Sequence, residues 1–368
     1  MSFLNKEIGM KKSYLILIGL LILSLMVASC ATAATEEPAA AAEPAVAEEP
    51  AEAVEEAPME EAAEPFLVAV VMPSAINDVA FSQSMYEALL YVQEEMGGAE
   101  AFDFVYSENM FVVDDAAAAI RDYATQGYDL VIAFGSQYGS SLQEIAPDFP
   151  DTSFAWGTTV DTFGEPNIFA LEAASQEGGY VNGVIAASLS TSKKMGVIGP
   201  IETGDAKLYV DGFKVGAEAT DPNIDVSVNW TGSFSDVALA SEAATTHIAN
   251  GADVLTGSAQ MVVGAIGKAQ ESDVLWFGTQ ANQTALAPSI VVASQVYHWE
   301  GALKEMIDLI EAGTLGGKSF TLTLANGGEV IEFNPDYALP DDVMALADST
   351  IQGIIDGTIT ITLPAAEE

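Results

Sequence analysis

The chain has little of the chemistry that most enzymes and nucleic-acid-binding proteins need. Its 368 residues include one cysteine, two histidines and 11 lysines and arginines against 54 aspartates and glutamates. A single cysteine excludes an internal disulfide and a cysteine-based zinc site. The net charge of −43 argues against nucleic-acid binding, which requires a basic surface. The sequence also lacks the nucleophile-elbow, phosphate-loop and zinc-protease motifs. We therefore expect no enzyme activity, no cofactor, no metal site and no nucleic-acid partner.

The first 30 residues have the pattern of a secretory signal. Lys11 and Lys12 precede an apolar run over residues 14–28, which is shorter than the roughly 20 apolar residues of a membrane span. The run ends in Val27-Ala28-Ser29-Cys30, which resembles the lipobox of bacterial lipoproteins, where the cysteine is acylated. We expect a lipoprotein signal peptide over 1–30, with Cys30 as a palmitate-type anchor on the extracytoplasmic face of the cell membrane. The alternative is an ordinary signal with an incidental cysteine.

Residues 31–65 consist almost entirely of Ala, Glu and Pro. Such a stretch cannot bury enough apolar surface to offset chain ordering, and its glutamates repel one another. We expect a disordered tether that holds the folded part away from the membrane. A tail that docks to another protein is the alternative.

From Phe66 onward the chain alternates between apolar runs and helix-spaced apolar patterns. Residues 66–72 form a continuous β-branched run, which is typical of a strand buried on both faces of a parallel sheet. The first series predicts strands at 66–72, 102–106, 130–134, 153–157 and 168–171, and helices at 81–96 and 116–124. This alternation favours a doubly wound parallel sheet.

The same pattern restarts after a helix predicted over 177–189. The second series predicts strands at 195–199, 224–230, 253–256, 274–277 and 290–296, and helices at 206–219, 237–250, 262–270, 299–312 and 341–355. A hairpin is predicted over 319–333, around Asn326-Gly327-Gly328. We predict an α/β protein with two Rossmann-like lobes in the type I periplasmic-binding-protein architecture. The N-terminal lobe would comprise 66–171 with about 293–318, and the C-terminal lobe 172–292 with about 319–360.

Several segments together resemble the basic membrane protein (BMP) family, the substrate-binding lipoproteins of ABC importers, whose known ligands include purine nucleosides. The matching segments run from about Phe66 to Pro335 and include 76–84, 177–183, 195–201, 212–217, 221–225, 232–236 and 251–254. Each segment is weak alone, but their order and spacing are fairly specific. The resemblance implies ligand capture between two lobes and delivery to an ABC permease.

The resemblance also implies positions for the ligand site. Phe81 matches an aromatic that stacks on the base, and Phe234 lies in a segment that can supply the opposing aromatic face. Gln280 and Asn282 lie where the family often has an acidic residue near the sugar. Ser82 stands where the family has Asn, and Tyr297 stands where it has Lys. Because these departures remove groups that would hold ribose, we expect either a nucleoside or a free base.

The residues themselves suggest further candidates at strand ends and leave structural alternatives open. Asp78 would accept from an amine or hydroxyl of the ligand, or it would cap the following helix. Phe81 would stack on the ligand or pack in the core. The remaining strand-end candidates are Gln137, Tyr138, Trp156 and Gln260. Core packing competes with ligand binding at Trp156 and Phe234, and hinge packing is favoured for Tyr297, His298 and Trp299.

These predictions describe a monomeric, lipid-anchored substrate-binding protein that closes on a small purine-type ligand. Closure would follow a population shift, because the ligand contacts both lobes only in the closed state. One alternative is a sensor of the same fold that delivers its signal to a membrane receptor. Others are a sugar-type ligand and an adhesin without a ligand.

Overall fold

The computed structural model describes residues 64–364. The predicted signal peptide, the anchor residue Cys30 and nearly all of the predicted tether lie outside the described residues. Within 64–364, no helix is long and apolar enough to cross a membrane.

The first lobe is built on a six-stranded parallel sheet, in the order β11-β5-β4-β3-β1-β2. Its strands are β1 (Phe66–Val71), β2 (Phe102–Ser107), β3 (Leu130–Phe134), β4 (Ser153–Gly157), β5 (Ile168–Ala173) and β11 (Ser319–Leu322). Alternate residues of β1 enter two different cores, with Val68 and Val70 on one face and Ala69 and Val71 on the other. The apolar run therefore forms a strand covered on both sides, as predicted.

Helices cover both faces of this first sheet. Their bounds are α1 (Phe81–Glu95), α2 (Val113–Gln126), α3 (Gly139–Ile145) and α8 (Glu300–Glu311). Helices α1 and α8 share one core with the sheet, and α2 and α3 share the other.

The second lobe repeats this plan with strands in the order β12-β10-β9-β8-β6-β7. The strands are β6 (Lys194–Gly199), β7 (Asp225–Trp230), β8 (Val254–Gly257), β9 (Leu275–Gly278), β10 (Val291–Tyr297) and β12 (Glu329–Phe333). All pairs are parallel except β10 with β12, which are antiparallel. The helices are α4 (Gln176–Leu189), α5 (Gly204–Thr220), α6 (Val237–Ala249), α7 (Val263–Glu271) and α9 (Asp341–Ile355).

Helices α4 and α5 approach each other unusually closely through glycines. A Cβ added at Gly183 would lie 2.1 Å from the carbonyl oxygen of Phe213, and one at Gly216 would lie 2.2 Å from that of Tyr180. No side chain fits in these gaps, so the two helix backbones are in direct contact. Both glycines belong to segments that carried the family resemblance.

Within residues 64–364 the chain crosses between the lobes three times, at 174–175, 298–299 and 323–328, and we call these crossings the hinge. The predicted hairpin over 319–333 is wrong, because β11 joins the first sheet and β12 joins the second. The predicted lobe boundaries also need correction. Residues 293–297 belong to β10 of the second lobe, and β11 belongs to the first lobe, whereas α8 does pack in the first lobe.

Candidate ligand-binding cleft

The carboxyl ends of strands from both sheets face one cleft between the lobes. The first lobe contributes residues that follow β1, β3 and β4, and the second contributes residues that follow β6, β7, β8 and β9. The lining residues are Pro73, Phe81, Gly135, Ser136, Gln137, Thr158, Asp205, Ala206, Phe234, Ala259, Gln260 and Gln280. Ligands of open α/β sheets bind at this edge, because loop side chains and backbone donors converge there.

The two aromatic candidates both reach the cleft, in different surroundings. Phe81 is 8% exposed and stacks on Phe134, with ring centroids 4.0 Å apart and planes within 4°. One face of Phe81 is therefore covered by its own lobe, and only the other is available to a ligand. Phe234 is half-buried, lies outside the hydrophobic cores and lines the opposite side of the cleft.

The lobes are close together in this structure. The Gln283 amide nitrogen donates to the carbonyl oxygen of Val79 across the cleft at 3.2 Å, and the Thr158 hydroxyl donates to Asp205 at 3.1 Å. The cleft has a volume of only about 30 Å³, far below the roughly 300–1,000 Å³ of a typical ligand pocket. With the lobes in this position, the cleft is too small to hold a planar ligand.

A buried carboxyl group, that of Asp205, lies at the start of α5 and was missed from the sequence. It accepts from the Thr158 hydroxyl, from the Gln280 amide at 2.9 Å and from the Tyr297 hydroxyl at 3.0 Å. Burial raises the pKa of Asp205, and these hydrogen bonds oppose the rise. Its position just after β6 could have indicated a residue of the site. The three side chains that donate to it, however, come from distant parts of the chain.

Two polar atoms in the cleft have no hydrogen-bond partner among the described residues. They are Oε1 of Gln280 and Nε2 of Gln260. Gln280 is 2% exposed and has a φ of 69°. Ala259, which precedes Gln260 in the chain, has a φ of 73°. Non-glycine residues rarely adopt this left-handed conformation, and they often do so at functional sites.

Asp78 does not line the cleft, and its contacts are those of a helix cap. Its carboxylate accepts from the backbone N–H groups of Ala80, Ser82 and Gln83 at 2.9–3.1 Å, and also from the Ser74 hydroxyl. Burial raises the pKa of Asp78 despite these bonds. The capping alternative therefore accounts for this residue.

Four other predicted contacts also lie outside the cleft lining. Ser82 is buried and its hydroxyl contacts Ser74. Tyr138 is fully buried in the core, and its hydroxyl donates to the carbonyl oxygen of Met110 at 2.7 Å. Trp156 stacks on Phe163 at 4.7 Å. Asn282 is exposed and donates to Glu332 at 2.6 Å.

The cleft does contain five of the predicted residues, namely Phe81, Gln137, Phe234, Gln260 and Gln280. Tyr297 and Trp299 pack at the hinge, where Tyr297 contacts Ser175 at 2.5 Å and the Trp299 indole donates to Ser84 at 3.1 Å. Thr158 and Asp205 are polar lining residues that sequence reasoning missed.

A second and larger groove, of about 800 Å³, lies outside the cleft between α8 and β11. Its lysines are already paired, Lys304 with Glu95 at 2.6 Å and Lys318 with Glu305. The groove is open to solvent and lacks the buried, unpartnered polar atoms of the cleft, so the cleft is the better candidate site.

Two lobes with a cleft lined from both sides define the class of two-lobed solute-binding proteins, and comparison with known proteins agrees. A solved solute-binding protein of an ABC transporter system from Aeropyrum pernix has a TM-score of 0.70 at 19% identity, covering 82% of this chain and 94% of that one. This likeness confirms the predicted fold. The family model for PnrA-like ABC transporter substrate-binding proteins (Bmp) matches residues 66–362. The chain belongs to this family, as the resemblance of its segments had indicated.

Two curated relatives have names that describe a ligand. The chain is 26% identical over 298 residues to a protein of Brucella abortus named a purine-binding protein, covering 81% of this chain and 83% of the relative. It is 25% identical over 307 residues to an ABC transporter nucleoside-binding protein of Lactococcus lactis, BmpA, covering 78% and 86%.

Proposed function

We propose that this ABC transporter substrate-binding protein captures a purine-type ligand, either a nucleoside or a free base, on the extracytoplasmic face of the membrane. The observation that carries the proposal is the pair Phe81 and Phe234, one from each lobe, both lining the same cleft. Aromatic faces favour a planar ring, adding roughly 0.5–1.5 kcal/mol beyond area burial. The names of the two curated relatives support the same ligand class.

Binding and closure are coupled in this proposal. Since the cleft is lined from both lobes and is too narrow for direct entry, the ligand binds when the hinge opens and then stabilises the closed state. An ABC permease recognises the closed form and receives the ligand. Cys30 carries the lipid anchor, and a Cys30→Ala variant is expected to appear in the medium instead of the membrane fraction.

Thermal-shift measurements with adenine, guanine, adenosine, guanosine and simple sugars test the ligand class. A purine at 100 times its Kd is expected to stabilise the protein by about 2.7 kcal/mol. Phe234→Ala should abolish most of this shift, and Phe111→Ala, which removes an exposed aromatic outside the cleft, should retain it. Stabilisation by sugars alone would refute the purine assignment.

A further inference from the structure

Asp205 determines which atoms of the neighbouring side chains donate hydrogen bonds to it and which atoms remain for a ligand. The hydrogen bonds that Asp205 makes with other side chains all run toward its carboxyl oxygens, so each of these neighbours turns a donor toward it. The Thr158 hydroxyl, the Gln280 amide nitrogen and the Tyr297 hydroxyl all do so, at 2.9–3.1 Å. Three donors use most of the roughly four acceptor sites of the carboxylate. A bound ligand therefore contacts mainly the side chains around Asp205, and not the carboxylate itself.

The orientation of Gln280 follows from this arrangement. Amide oxygen and nitrogen atoms are distinguished by their hydrogen-bond partners, and only Nε2 of Gln280 can donate to Asp205. Its Oε1 is consequently the atom left over, and it is buried without a partner among the described residues. Leaving such an acceptor unmatched costs about 1–3 kcal/mol, so a ligand that supplies a donor there gains affinity.

Thr158 is oriented by Asp205 in the same way. Its only hydroxyl hydrogen is directed at Asp205, so its oxygen offers lone pairs to the cleft and no donor. Thr158 follows β4 of the first lobe and Gln280 follows β9 of the second. Acceptors therefore face the cleft from both sides, next to the carboxylate that orients them.

We propose that Asp205 is a positioning residue that makes this edge of the cleft a set of hydrogen-bond acceptors, and that the ligand is an amino-substituted planar heterocycle with N–H donors at that edge. This inference rests on the proposed function and narrows its ligand class. A ring that presents only carbonyl oxygens there would face the lone pairs of Gln280 and Thr158, and would bind less tightly.

Two pairs of bases that differ by one amino group test the proposal. Adenine is compared with purine, and guanine with hypoxanthine, by calorimetric titration of the wild-type protein at neutral pH. The amino-bearing member of at least one pair is expected to bind at least about tenfold more tightly. Equal affinities within both pairs would overturn this inference and leave the proposed function intact. Failure of all four bases and of their ribonucleosides to bind would instead overturn the proposed function.

The Asp205→Asn variant tests the role of the carboxylate. Its amide would donate to one neighbour, so Gln280 or Thr158 would turn a donor toward the cleft, and the amino preference should fall below about threefold. Asp211→Asn is the matched control, because Asp211 lies on the same helix outside the cleft, paired with Lys207 at 2.9 Å. If Asp205→Asn does not fold, Thr158→Val removes one acceptor directly and should also reduce the preference. An unchanged preference in the variant that folds would overturn the proposal.

Discussion

The two lobes each present an aspartate and a phenylalanine after a strand, but they use them in opposite ways. In the first lobe, Asp78 caps α1 through backbone N–H groups, and Phe81 is partly a core residue stacked on Phe134. In the second lobe, Asp205 accepts from side chains at the cleft, and Phe234 lies outside the hydrophobic cores and lines the cleft. The same residue types thus serve structure in the first lobe and, in our proposal, recognition in the second.

The largest expected effect separates the two phenylalanines. Phe81→Ala should lower the free energy of unfolding by about 3–5 kcal/mol, because it removes a buried ring from a packed core. Phe234→Ala should change it by less than about 1 kcal/mol, while both variants lose affinity for a purine. Denaturant unfolding with and without ligand measures both quantities. Similar losses of stability in the two variants would break the contrast.

The next effect concerns two acids, one in each lobe, of which Glu172 is half-buried and Glu329 is buried. Burial raises the pKa of Glu172 on β5 to about 8 and that of Glu329 on β12 to about 8. Glu329 is fully buried, accepts from the Gln295 amide at 2.8 Å and contacts the Gly178 N–H at 2.5 Å. Between about pH 5 and 8 the folded state holds protons that the unfolded state has lost, so stability should decrease as the pH rises.

Replacing one of these acids tests its contribution to the pH dependence of the free energy of unfolding. Each group contributes a slope of at most about 1.4 kcal/mol per pH unit. Glu329→Gln keeps an acceptor for both neighbours and should flatten the dependence, with the greatest gain in stability near pH 8. Glu311→Gln, at an exposed position of α8, serves as the control and should leave the slope unchanged. Unfolding free energies measured from pH 5 to 8 decide between these outcomes, and an identical slope in Glu329→Gln would contradict the assignment.

The smallest effect sharpens the contrast between the two aspartates. Asp78→Asn should cost about 1–3 kcal/mol of stability, because one oxygen that accepts from the start of α1 is lost. Its preference between paired purines should stay that of the wild-type protein, since Asp78 does not line the cleft. Titration calorimetry beside denaturant unfolding provides both values. A shifted ligand preference in Asp78→Asn would show that the first lobe also sets specificity.

Much of the fold could be predicted, because continuous apolar runs and helical spacing are local signals. The run at 66–72 and the helix pattern from 81 gave β1 and α1 within one or two residues. The hairpin at 319–333 failed because Asn326-Gly327-Gly328 signals a turn and does not specify which sheets its flanking strands join. The sheet membership depends on contacts with β5 and β10, which are distant in sequence.

The candidate site was less accessible from the sequence. An acid ahead of a helix, such as Asp78, suits both capping and ligand binding, and only the contacts distinguish the two. Asp205 gains its role from Thr158, Gln280 and Tyr297, which come together only after folding. Phe81 and Phe234 were identified through a family resemblance, since apolar spacing alone favours core packing for Phe81.

The direct backbone contact of α4 with α5 has a mechanical consequence. Helix α4 begins immediately after the first crossing, and α5 begins next to Asp205. Without intervening side chains at Gly183 and Gly216, the two helices have no soft layer in which to slide. If the hinge rotates, α4 and α5 are therefore expected to move as one rigid unit, which would carry Asp205 with them.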